Sequence, residues 1–234
     1  LLAEALEAPP GARSVYSDLG FLLLQWALER RSGKRLHRLA RRELYEPLGL
    51  RSTTFVDLEH PPDARPQLPF VATERCPRRG RLCGEVHDDN THALGGVAGH
   101  AGLFSTVHEV HLLVRELWRA YAGERSLFER DVVRAFWRAR PARASRGRRD
   151  GWALGWDRPS SGGSSSAGSL LGESPAVGHL GFTGTSVWID LAHGSWVVLL
   201  TNRVYYGREP NPMKALRPEI HDAAWRGLAA SRSR

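Results

Sequence analysis

The stretch from Val177 to Val204 constrains the fold more than any other part of the 234-residue sequence. Two β-rich runs, Val177–Asp190 and Trp196–Val204, are joined by Leu191-Ala192-His193-Gly194-Ser195. Valine, isoleucine and tryptophan on either side of a short glycine-containing connection predict an antiparallel hairpin. Within the first run, GHLGFTGTSVWID places a histidine, several glycines and two threonines on what reads as a half-buried strand. That composition asks for a reason beyond packing.

Upstream the periodicity changes. Leu19–Arg31 (LGFLLLQWALERR) reads as a helix that is apolar nearly all round, so burial is expected, with Gly33 supplying the left-handed residue that ends it. A second helix, Leu36–Leu44, is expected to stop ahead of Pro47, and PLGLRSTTF to turn into an extended piece. Residues 59–81, rich in proline and arginine, predict an irregular connection. Thr106 and Glu109 form a T-x-x-E capping box at the start of a helix striped by Val110, Leu113, Val114, Leu117 and Tyr121. Phe128–Arg138 predicts another helix, Gly151–Asp157 a strand, and SSGGSSSAGS a solvated loop. Pro218 fits the first turn of a terminal helix, Glu219–Ala230. Helices first, then sheet, then a closing helix predict an α+β fold with an antiparallel sheet flanked by helices, in one domain whose residues 1–150 are mainly helical and whose residues 151–234 carry the hairpin and last helix.

Composition narrows the function classes. Apolar residues make up 41% of the chain, including eight tryptophans, enough for a sizeable core. No apolar run reaches the roughly 18 residues that a membrane-spanning helix needs, so no transmembrane segment is expected. The formal charge of +8 is almost all arginine, scattered rather than laid along one helix, with only Lys34 and Lys214 as lysines. Its densest clusters, Arg78-Arg79-Gly80-Arg81 and Arg146-Gly147-Arg148-Arg149, sit in turn-rich stretches without interleaved aromatics, so no nucleic-acid partner is expected. Cys76 and Cys83 fit neither a C-x-x-C pair nor a four-ligand zinc pattern, which leaves a loop disulfide and two free thiols both open.

Isolated motifs carry little. Ser186 lacks the closing glycine of G-x-S-x-G, and no phosphate-binding loop pattern occurs. His108 and His111 around Glu109 are one residue short of a zinc-binding helical pair. His87, Asp88, Asp89 and His92 read as a polar turn, Gly95, Gly96, Gly99 and Gly102 as tight backbone packing, and Ser17 or Asp18 as a helix N-cap. Neither a metal nor a cofactor is expected.

In combination these stretches become informative. PGARSVYSDLGFLLLQWALERRSGKRL, YEPLGLRSTTF, GEVHDDNTHALGGVAGHAGLFST, VGHLGFTGTSVWID and VVLLTNRVYYGREPN resemble, in the same order, the penicillin-recognising serine hydrolases of the class C β-lactamase family. The likeness is closest to the penicillin-binding-protein-like branch, with Tyr-Ser-Asp and His-x-Gly in place of Tyr-x-Asn and Lys-Thr-Gly. The resemblance implies that Tyr16 acts as general base, that Asp18 orients substrate, and that His179, Leu180 and Gly181 form the third motif on a strand walling the cleft. It further implies that Gly181 lets a substrate backbone lie alongside and that the Phe182 backbone N–H is one of two oxyanion donors. Tyrosine, with a reference pKa of about 10, needs a nearby cation to act as a base near neutrality. In the family that cation is the lysine of S-x-x-K, whose serine carries the acyl group.

No S-x-x-K occurs in this sequence. The resemblance therefore implies a chain lacking the amino-terminal strands and nucleophile helix, inactive as written, from an enzyme acting through an acyl-enzyme on a peptidoglycan peptide, β-lactam or ester in the cell envelope or periplasm. The alternative is a non-catalytic cell-wall-binding or scaffold pseudoenzyme. Leu180 replaces the usual threonine and removes a hydroxyl that could bind a substrate carboxylate, and Asp18 replaces asparagine, so it only accepts hydrogen bonds when ionised.

Overall fold

A computed structural model describes residues 3–12, 14–60, 68–140, 152–160, 166–172 and 174–232. The chain divides into two compact units. The first comprises residues 1–5, 16–113 and 204–208, and the second residues 6–15, 114–203 and 209–234.

The first unit begins with α1 (Asp18–Ser32), where Ser17 caps the start and Gly33, at φ 65°, ends it by donating its N–H to the Glu29 carbonyl. The predicted bounds hold, but the predicted burial does not. No residue of α1 is buried, and Leu24 and Trp26 are 59% and 52% exposed. Gln25 ties it to the 97–99 segment, bonding the Val97 carbonyl at 3.3 Å and accepting from the Gly99 N–H at 3.0 Å. A helix apolar on all sides would need cover on all sides, which the exposure of Leu24 and Trp26 shows it lacks here.

The second predicted helix overruns its expected stop. After α2 (Leu36–Ala40), residues Arg41–Tyr45 form a π-turn that leads into α3 (Glu46–Leu48), so the helical path passes through Pro47. Proline removes an N–H and clashes with the carbonyl four residues back. The wider π-turn, in which Glu46 N–H bonds the Arg41 carbonyl, accommodates both. Gly49, at φ 70°, then closes the helix. The extended piece follows as β1 (Thr54–Phe55). Within the expected irregular connection lies a small hairpin of β2 (Glu74–Cys76) and β3 (Gly80–Leu82). Both cysteines are free, with Cys76 buried and Cys83 exposed. Asp88 caps α4 (Asp89–Ala93) by accepting from the Thr91 N–H, which bears out the polar-turn reading.

The glycine-rich stretch is tight packing, as expected. A Cβ on Gly99 would lie 2.5 Å from the Phe21 carbonyl oxygen, and one on Gly102 the same distance from the Gly96 carbonyl oxygen. It leads into β4 (Leu103–Phe104), which pairs with β1, and then into α5 (Val107–Ala122). Half of the predicted capping box is present, since Glu109 N–H donates to Thr106 Oγ1 at 3.2 Å. The Glu109 carboxylate turns elsewhere. It accepts from the N–H groups of Arg51 and Ser52, both at 2.8 Å, and from the Thr53 hydroxyl at 2.6 Å, pinning the entry to β1.

The second unit continues α5 and adds α6 (Arg130–Trp137). The predicted strand at Gly151–Asp157 does not form. Gly151 lies outside the described residues, and the remainder contributes one bridge, Asp157 to Gly178. Most of the SSGGSSSAGS run likewise lies outside the described residues. The predicted hairpin is a three-stranded antiparallel sheet of β5 (Ala176–Leu180), β6 (Ser186–Asp190) and β7 (Ser195–Leu199), in that order. The run read as a single strand breaks at residues 181–185, where Gly181 N–H bonds the Thr185 carbonyl at 2.8 Å and Gly184 takes φ 102°. The last helix, α7 (Met213–Arg232), starts earlier than expected and carries Pro218 inside it. Position 218 is still near the start of the helix, but the first turn lies at Met213, whose N–H is capped by the Asn211 side chain at 3.2 Å. The core beneath the sheet gathers Ala167, Leu171, Ala176, Trp188 and Trp225, and Trp225 donates its indole N–H to the Ala167 carbonyl. No helix among the described residues is long and apolar enough to cross a membrane.

Candidate active site

The sequence-predicted site residues fall in both units. Tyr16 and Asp18 belong to the first, and His179, Gly181 and Phe182 to the second.

At the head of α1, Ser17 adopts extended backbone (φ −156°, ψ 134°) and its hydroxyl accepts from the Leu19 N–H at 3.2 Å. The serine of Tyr-Ser-Asp is thus the N-cap. With the cap fixing the chain, Tyr16 stands outside the helix, 62% exposed, while Asp18 occupies the first turn, half-buried. A carboxylate there is favoured by the partial positive charge of the helix start. Tyr16 and Asp18 therefore flank the cap with separate backbone geometries.

In the second unit, His179 pairs across the sheet with Val187 and Leu180 with Ser186. His179 is half-buried, and its Nδ1 lies 2.8 Å from the Leu180 carbonyl oxygen. A carbonyl only accepts, so the proton sits on Nδ1 in this arrangement, which leaves Nε2 as the acceptor nitrogen of the ring. Phe182 is 59% exposed at the turn after β5. Arg203 clamps that turn: its Nε donates to the Phe182 carbonyl at 2.8 Å, its guanidinium lies 4.7 Å from the ring centre, and its N–H bonds the Thr183 carbonyl at 2.9 Å. Arg217 adds a 3.4 Å bond to the Thr185 carbonyl. Sequence reading missed both arginines, and the signal that could have found Arg203 was its place in TNR, directly after the last strand.

The glycines have reasons of their own. A Cβ on Gly178 would run into the Trp188 indole, and one on Gly181 into the Thr185 hydroxyl. Gly181 is thus demanded by its own turn, whatever lies outside it.

Among the described residues one grouping has metal-competent spacing, Asp57, Glu59 and His60, whose ligand atoms lie within 4.8 Å of one another. Arg35 already reaches Glu59 at 2.8 Å and Asp57 at 3.8 Å, so a guanidinium balances the carboxylates.

Comparisons with known proteins agree with the motif order. The β-lactamase family pattern matches residues 1–221. The "Putative D-alanyl-D-alanine carboxypeptidase" of Salmonella agona is 32% identical over 215 residues, covering 85% of this chain and 47% of that protein; its Salmonella typhi counterpart matches equally. The chain spans about half the length of these curated relatives. Among solved structures, a β-lactamase from Mycobacterium bovis superposes with a TM-score of 0.62 at 21% identity, over 92% of this chain and 65% of that one. A penicillin-binding protein from Bacillus halodurans gives 0.60 at 14% identity, over 94% and 59%. Simvastatin synthase from Aspergillus terreus gives 0.61 at 20% identity, over 95% and 57%. At these identities the structures speak for the α+β fold, while the family pattern speaks for descent: the chain belongs to the β-lactamase family.

Proposed function

We propose that this chain carries the base and the third wall of a serine hydrolase centre of the D-alanyl-D-alanine carboxypeptidase kind, acting through an acyl-enzyme on a peptidoglycan peptide, β-lactam or ester in the cell envelope. What supports this reading is that Tyr-Ser-Asp, at the capped head of α1, and His-Leu-Gly, at the end of β5, both occur within the family match over residues 1–221. In this reading the Tyr16 phenolate takes the proton of the attacking serine, and Asp18 accepts a hydrogen bond from the substrate. His179 contributes a ring nitrogen to the cleft, and the clamped turn holds the Phe182 N–H toward the developing oxyanion. A backbone donor stabilises that charge only if it is fixed beforehand, and the bonds from Arg203 support such fixing.

The serine and lysine of S-x-x-K are absent from the 234 residues, so the reading assigns them to polypeptide outside this sequence. The second reading is a non-catalytic cell-wall-binding or scaffold domain that keeps the cleft without a nucleophile. One experiment separates them. The segment of the Salmonella agona relative that precedes its matched region is joined to this chain, and the chimaera is treated with a fluorescent β-lactam. Covalent labelling that falls by about 100-fold or more in Tyr16→Phe, the usual scale for a lost general base, is the expected result. Labelling indifferent to Tyr16→Phe removes the base assignment, and binding to cell-wall material without labelling favours the second reading.

A further inference from the structure

Away from the motif residues, the first unit contains a cavity of about 530 Å³ lined by Gly33, Lys34, Arg35, Arg38, Arg42, Asp57 and His60. Its size is that of a small-molecule pocket, but such pockets are mostly apolar. This one is walled by cations.

The charges are not all spent within the protein. Arg35 is paired with Glu59 at 2.8 Å and approaches Asp57 at 3.8 Å, and Arg42 is paired with Glu43. Asp57 itself is held by the N–H groups of Glu59 and His60, at 3.0 and 3.1 Å, with the His37 and His60 rings 3.8 and 3.7 Å away. The Lys34 ammonium and the Arg38 guanidinium have no anionic partner among the described residues. Arg38 and Arg42 lie four residues apart on the helical path through α2 and the π-turn, where like charges repel one another, and Lys34 stands just ahead of the N-cap Arg35. Next door, burial holds His37 below the usual histidine range, with Asp57 pulling it up and Arg35 and Arg38 pushing it down. A concave surface lined by these cations is stabilised by an anion placed among them.

We propose that this cavity binds the terminal phosphate of a small phosphorylated ligand, with Lys34 and Arg38 making the main contacts and Arg42 flanking them. Two cations without an anionic partner among the described residues match the charge of about −1.5 to −2 that a terminal phosphate carries near neutrality. A diester, with a single charge, matches only one of them. Arginine forks also bind phosphate oxygens in pairs.

The probe is inorganic pyrophosphate, followed by phosphorus NMR line broadening in about 0.15 M salt, where loose attraction to a basic surface is largely screened. Saturable broadening is expected. Lys34→Gln/Arg38→Gln should weaken it by about tenfold or more, the scale of one lost charge-assisted contact, while Arg78→Gln/Arg81→Gln should leave it unchanged. Both substituted pocket side chains are at least partly exposed and unpartnered, so folding is not at issue. Dimethyl phosphate should bind far more weakly. Absence of saturation, equal losses in the two double variants, or equal binding of the diester would each overturn the proposal.

Discussion

The two units hold themselves together by different means. In the first, buried carboxylates collect backbone donors and cations: Glu109 binds residues 51–53, Asp88 caps α4 and meets His100 at 3.1 Å, and Glu74 joins Arg208 at 3.1 and 3.2 Å and His87 at 2.8 Å. Its strands are two or three residues long, too short to fix a fold alone. In the second, five-residue strands cover a core in which Val177 and Ile189 are fully buried and Trp188 is 1% exposed, and Trp118, Tyr121, Trp137 and Trp156 follow one another ring to ring. The second unit also has buried carboxylates, since Glu116 accepts from the Leu127 N–H and Asp190 from the Ala192 N–H, so what sets it apart is its longer strands and filled aromatic volume. The two units should therefore fail under different insults.

The largest expected effect tests the filled volume. Trp188→Ala should cost about 3 to 5 kcal/mol, the usual penalty for emptying a buried aromatic site. Refilling is obstructed because the Trp188 indole is flanked by Gly178, which has no side chain to move in. Urea unfolding followed by tryptophan emission reads mainly this unit, which holds seven of the eight tryptophans, all but Trp26. A loss below about 1 kcal/mol, the scale of a surface substitution or little more, would break the contrast between the units.

A smaller effect of a different kind comes from a buried polar pair in that unit. His221 is fully buried, with Nε2 2.9 Å from the Ser186 hydroxyl, and burial, helped by the Arg217 charge, pushes its pKa down to about 4. In the unfolded chain histidine titrates near 6.5. Above that value both states are neutral and the pair is unaffected. As pH falls from about 6.5 to about 4 the unfolded chain takes up a proton that the folded one refuses, so stability drops by about 3 kcal/mol across this window and then levels. His221→Gln should flatten that slope in urea midpoints measured at intervals of pH. A slope that survives the substitution assigns it elsewhere.

What the sequence made legible follows from how local each signal is. Ser17 and Gly33 mark the ends of α1 because caps are set by the backbone within one turn, whereas the exposure of Leu24 and Trp26 depends on what else packs there, which periodicity cannot report. Pro47 and Pro218 misled because proline forbids an N–H donor and a carbonyl clash, not a helix: a π-turn removes the conflict at Pro47, whereas Pro218 lies inside α7, past the first turn that the sequence assigned it to. The turn at 181–185 hid inside an apparent strand because the reading of Gly181 for a ligand left the turn it makes with Gly184 unseen. The motif residues stood out only through family likeness. Glu109 shows the limit most clearly, since T-x-x-E predicted its backbone partner and missed the use of its carboxylate.

That carboxylate gives the smallest and most local test. Burial pushes the Glu109 acid upward, but the Thr53 hydroxyl and the N–H groups of Ser52 and Arg51 outweigh it, and the group ends below the ordinary glutamate range. A depressed carboxylate contributes stability that is present above the unfolded value, about 4.3, and is lost as pH falls through the folded one. The first unit should thus keep its latch across the window in which His221 already weakens the second. Glu109→Gln keeps one acceptor oxygen and presents an amide N–H to donors, at a cost of about 1 to 3 kcal/mol for a charge-assisted bond. Global unfolding dilutes so local a change, but hydrogen exchange does not: the amides of Arg51 and Ser52 should exchange faster in the variant at neutral pH, and in the native chain only when acid protonates Glu109. Unaltered protection at both amides would mean that the entry to β1 is held by its pairing with β4, and that the first unit depends on its carboxylates less than their hydrogen bonds imply.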